Sequence, residues 1–163
     1  MPVTDFLDMI DHFLWSTKKI IDLLETMSEE QFNSKIPENT RSIQEIILHL
    51  VSIYAYFSSF TDHKSIVEKS KQSNKEELLQ LYRELSKKVS DIFKNDEEKM
   101  IPVKTKDGKM KNISGISLLH MVNDHFAYHR GQIITKFSAI TGKEAVGTDY
   151  ALFLQEDNPD ITL

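Results

Sequence analysis

Residues 114–142 read SGISLLHMVNDHFAYHRGQIITKFSAITG, and this stretch carries a fold signal and a chemical signal together. Leu118, Val122, His125, His129 and Gln132 or Ile133 recur at intervals of three and four, the repeat of one helix face. That face points inward, on a helix expected from about Ser114 to Ile140 that stops near Gly142. His125 and His129 are four residues apart, so both imidazoles project from the same side.

Three more segments upstream share the helical repeat. In the first, from about Thr4 to Met27, Phe6, Ile10, Phe13, Leu14, Ile20, Ile21 and Leu24 mark the buried side. A short turn follows, with a capping-box pattern at Ser28-Glu29-Glu30-Gln31, and residues 33–41, containing Pro37, read as a loop. A second helix begins at Ser42, because Ser42 and Glu45 can each satisfy an orphan backbone N–H of the other's turn. Its inward stripe runs through Ile46, His49 or Leu50, Ile53 and Phe57. A polar bridge is expected from about His63 to Ser73. The third helix then starts at Asn74 with Glu77 and buries Leu78, Tyr82, Leu85, Val89 and Ile92.

Between the third and fourth helices, residues 103–111 alternate around Asp107-Gly108. This pair suits a type I′ turn, so a small hairpin or loop is expected there. The tail from Lys143 to Leu163 reads as irregular, with Tyr150, Leu152, Phe153 and Leu154 packing back. Four helices with one apolar face each predict an all-α, up-down four-helix bundle, a single domain over residues 1–163.

Composition narrows the function. A net charge of −5 argues against nucleic acid as partner, since phosphate binding needs a basic surface. No apolar run approaches the about 20 residues that cross a bilayer, and the acidic start MPVTDFLDMID does not read as a signal peptide. The expected location is the cytoplasm, with no membrane partner. The absence of cysteine removes disulfides, thiolate nucleophiles and thiolate ligands together. Any sulfur nucleophile would have to come from a cosubstrate.

His49 on the second helix joins His125 and His129 if the two inward faces meet. Burying three imidazoles has a cost, because each neutral ring carries a donor and an acceptor that need partners. A divalent metal takes one ring nitrogen from each, and three such ligands leave a coordination position open for water or substrate. Spacing alone leaves a second reading open, in which the histidines are satisfied by hydrogen bonds or by solvent.

The string His125-Phe126-Ala127-Tyr128-His129-Arg130-Gly131-Gln132 resembles the H-x-x-x-H-R-G-Q signature of the DinB/YfiT-like superfamily. Ser42-Ile43-Gln44-Glu45-Ile46-Ile47-Leu48-His49-Leu50 resembles that family's second-helix motif, and Asp149-Tyr150 falls late, as in many members. The resemblance covers the whole chain. It implies a bundle in which zinc, nickel or iron is held by His49, His125 and His129, often as a homodimer. It further implies a small-molecule substrate and one of two chemistries. One is thiol S-transfer or isomerisation with a low-molecular-weight thiol such as bacillithiol; the other is metal-assisted hydrolysis. The alternative is a metal-binding stress-response protein without catalysis, so whether the chain is an enzyme stays open at this point.

Other residues carry weaker expectations. His120 lies well round the helix from His125 and reads as a surface or outer residue; His12 and His63 show no partner pattern. Glu45 is explained by its cap, although it sits one turn before His49. Asn123 and Asp124 are expected to be solvated, or else acceptors behind the ligands. Arg130 fits either an anionic substrate group or a surface pair. Gly131, costing about 1 kcal/mol against Ala in a helix interior, suggests close approach by a neighbouring helix. Gln132 can face the cavity, and Trp15 and Tyr128 read as core or rim aromatics.

Overall fold

The computed structural model describes residues 3–58, 62–95, 100–104 and 107–163. Four long helices dominate: α1 (Val3–Glu25), α3 (Ile43–Ser58), α5 (Lys75–Asn95) and α6 (Gly115–Thr141). Between and after them come α2 (Glu29–Asn33), α4 (His63–Ser70), the strands β1 (Met100–Lys104) and β2 (Met110–Ser114), and α7 (Tyr150–Phe153). The protein is thus mostly helical, with one small two-stranded sheet. No helix among the described residues is long and apolar enough to cross a membrane.

Helix ends follow the local chemistry. The Ser42 N–H donates to Glu45 Oε2 at 2.7 Å, and the Glu45 N–H donates to Ser42 Oγ at 3.1 Å, a complete capping box. Asn74 and Glu77 repeat it for α5 at 3.1 and 2.9 Å. Ser114 caps α6, whose other end closes at Gly142 in the left-handed conformation (φ 68°), with its N–H donated to Ser138 O at 2.9 Å. Beyond the C-terminus of α1, the buried Lys75 ammonium donates to the carbonyls of Met27 and Glu25, placing a cation where the helix dipole favours one.

The core is where the four long helices meet. α1 and α3 each pack against both α5 and α6. One ring from each helix sits at the centre. Phe13 meets Phe126 edge-on at 5.6 Å and Tyr54 at 5.9 Å, and Tyr54 stacks on Tyr82 at 5.7 Å. The expected stripe of α1 is buried throughout. On α3, Leu50 is core and His49 lies half-buried beside it.

Several expectations are revised. The polar bridge after α3 contains a helix, α4, which packs Ile66 against the core and buries Ser70 while its charged residues stay in water. The turn at Ser28 opens into α2, and its capping box is formed. The hairpin extends from Met100 to Ser114, with Ile101 opposite Ile113 and Lys104 opposite Met110. The last paired residues, Lys104 and Met110, leave five residues of sequence between them rather than the two of a type I′ hairpin. Gly108 (φ 84°) has positive φ and Asp107 does not; Thr105 and Lys106 lie outside the described residues. The tail forms α7 over Tyr150–Phe153, where Phe153 is buried while Leu152 and Leu154 are exposed.

Because α3 carries His49, its cap bears on the site. Ser42→Ala is expected to lower global stability by about 1 kcal/mol, read as an earlier urea midpoint with unchanged slope.

Candidate metal centre

His49 comes from α3, and His125 and His129 from consecutive turns of α6. The three rings converge, with centroids 5.2 Å apart for His49–His125, 4.8 Å for His49–His129 and 4.6 Å for His125–His129. Their candidate ligand atoms all lie within 4.8 Å of one another, so the group can hold a metal ion. Nε2 of His49 and Nε2 of His125 are 3.2 Å apart. Two nitrogens bound tetrahedrally to one zinc at about 2.0–2.1 Å sit about 3.3 Å apart. The spacing on hand is thus already close to that of shared coordination.

Protonation favours the same use. Burial disfavours the charged form of each ring, and each ring's cationic form also repels its neighbours. His49 is pushed down to about 4 by burial first, then by His129, His125 and Arg41. His125 is lowered by burial and by His129. Burial lowers His129 most; a hydrogen bond to Gln132 opposes this, and Arg41 adds to it. At neutral pH the rings are therefore uncharged, with lone pairs available. Because Gln132 Oε1 can only accept, the His129 Nδ1–H donates to it at 2.8 Å, leaving Nε2 of this buried ring as the free donor of electrons. The donor set fits a divalent ion of borderline softness.

A groove of about 760 Å³ opens onto His129. Gln132, Gly131, Tyr128 and Arg41 line it, together with Ile36 and Pro37 from the loop before α3. Tyr128 is 65 % exposed, its ring edge-on to His129 at 5.0 Å, so it forms the rim.

The DinB family model matches residues 1–160. The chain belongs to the DinB family. The resemblance carried by residues 42–50 and 125–132 therefore holds at the level of the family. No curated protein and no solved structure matches this DinB chain.

Other expected residues fall in different places. Glu45 has one oxygen on the Lys35 ammonium at 2.9 Å and the other on the Ser42 N–H, so its cap accounts for it. His120 and Asp124 are exposed. Arg130 neither lines the groove nor forms a surface pair within the described residues: its guanidinium lies 5.3 Å from the Phe126 ring centroid, in the field of Asp149, Tyr54 and Tyr82. No helix approaches Gly131. A Cβ there would meet nothing within 4 Å, because that face opens into the groove. His12 has partners after all, as its Nε2–H donates to Thr148 O at 3.1 Å and its ring packs on Tyr150 and Phe153.

Sequence reasoning passed over Arg41, treating it as the end of a loop. The available signal was a lone cation directly before the cap of the histidine-bearing helix.

Two outcomes follow from this geometry. Between the ordinary histidine pKa of about 6.5 and the depressed value of about 4, the unfolded chain binds more protons than the native one. The metal-free protein should therefore keep its stability above pH 6.5 and lose it as pH falls towards 4, and His49→Gln should flatten that slope in thermal melts. Gly131→Ala should raise stability by about 1 kcal/mol, since the methyl has room and the helix gains propensity.

Proposed function

We propose that this protein is a divalent-metal-dependent enzyme in which His49, His125 and His129 hold the ion on an up-down four-helix bundle, and that its chemistry is thiol S-transfer to a small molecule. The observation that carries this reading is the convergence of three neutral imidazoles beside an open groove. A divalent ion there supplies Lewis acidity and lowers the pKa of a thiol or water that reaches it.

The chain's own residues supply the rest. Gln132 fixes the tautomer of His129. Tyr128, Ile36 and Pro37 line the approach to His129. In the transfer, the cosubstrate's sulfur lone pair forms a carbon–sulfur bond while the bond to the leaving group breaks, and the thiol proton departs to solvent. Hydrolysis is the second chemistry compatible with such a site. It is less well served, because the carboxylate nearest in sequence to His49, on Glu45, is committed to Lys35 and Ser42 rather than poised as a base.

Metal analysis of the purified chain should return one divalent ion per chain. His129→Ala should abolish tight binding, and Gln132→Leu should weaken it by about 10–100-fold, the usual cost of losing the partner that orients a ligating imidazole. Adding 2-mercaptoethanol to the Co(II)-loaded protein should produce a thiolate charge-transfer band in the near ultraviolet. Metal uptake without that band would favour hydrolysis; no metal uptake at all would remove the enzymatic reading.

A further inference from the structure

The groove beside His129 contains a charge that the metal chemistry does not use. Arg41 lines it, is exposed, and has no hydrogen-bond or ion-pair partner among the described residues. The neighbouring cations are committed. Lys35 pairs with Glu45 at 2.9 Å, and Lys136 donates to Ile36 O at 2.7 Å and Thr40 Oγ1 at 2.6 Å. Glu45, the acid whose field Arg41 shares, has both oxygens engaged elsewhere.

A second observation points the same way. Gly131 sits in the interior of a 27-residue helix, where glycine costs about 1 kcal/mol, and no protein atom beyond its own helix takes up the space. That space is part of the groove. Neither packing nor backbone geometry accounts for the missing side chain, whereas a ligand lying against α6 would. The remaining walls, Ile36, Pro37, Ile46 and Tyr128, are apolar or aromatic.

We infer that the groove binds a small carboxylate-bearing organic molecule, with the carboxylate on Arg41, the apolar body across Gly131, and the reacting end towards His129. A guanidinium presents a planar fork that matches a carboxylate, and one uncommitted cation balances one negative charge, where a phosphate would draw more. Arg41 is then a specificity determinant, selecting anionic substrates over neutral ones of the same shape. This rests on the metal-dependent reading for what happens at the reacting end, but the anion site itself needs no metal.

The test is an amide NMR titration of the full chain, both metal-free and Zn(II)-loaded, with the monocarboxylate butyrate and with its neutral counterpart butyramide. Butyrate should shift the amides of Arg41, Tyr128 and Gly131 in both forms, and butyramide should not. Arg41→Gln should weaken butyrate binding about tenfold, the loss expected for a charge-assisted hydrogen bond. Gly131→Leu, which fills the groove without harming helix propensity, should weaken it as well. Shifts that are absent or scattered, an equal response to butyramide, or full affinity in Arg41→Gln would each overturn the inference. A chain that takes up no Zn(II) yet still binds butyrate through Arg41 would refute the metal-dependent function alone. A chain that binds Zn(II) and ignores butyrate would refute only the anion site.

Discussion

The distance between α3 and α6 is set by four rings that meet at the centre of the molecule. Phe13, Tyr54, Tyr82 and Phe126 come one from each long helix, and all four are essentially fully buried. Phe126 follows His125 directly, and Tyr54 lies little more than one turn beyond His49. The edge-on contacts of Phe13 with both rings therefore also fix where the imidazoles emerge. Aromatic packing of this kind tolerates little slippage, because interiors are close-packed and the preferred ring geometries are few. A site that needs nitrogens within a few tenths of an ångström of a coordination geometry depends on such a rigid base.

Within that frame the histidines carry an energetic burden. Neutral imidazoles crowded together are kept from protonating by burial and by one another, and their polar atoms need partners that an apolar stripe would not. Gln132 relieves part of this by accepting from His129, and His49 and His125 share the remainder across 3.2 Å. Leucine at these positions would pack with less penalty. The local conflict between stability and composition is what distinguishes this end of the core from the rest.

Much of this was legible in the sequence, and for identifiable reasons. Helix starts at Ser42, Asn74 and Ser114 rest on side chains bonding to backbone within three residues, so local sequence suffices. The inward direction of His125 and His129 follows from periodicity. Other features depend on elements distant in sequence. Arg41 matters because a groove forms between its loop and α6, some ninety residues away in sequence. At Gly131 a helix contact and an open groove look alike in the sequence, because a missing side chain signals space without saying what fills it. His12 shows no local pattern, since its partner Thr148 lies at the opposite end of the chain. The helix α4 is hidden in the sequence because its polar composition outweighs Ile66, the one side chain of α4 that packs against the hydrophobic core.

The docking of the tail on α1 has a practical side. Trp15 is the sole tryptophan, and its indole N–H donates to Glu156 at 2.9 Å while its ring touches Phe153 and lies under the Lys19 ammonium. Release of the C-terminal segment would strip away that hydrogen bond and a covering ring at once, admitting water to the indole. The protein thus carries a built-in fluorophore that senses whether the segment around Phe153 and Glu156 is seated, and emission wavelength alone can follow that event without any label.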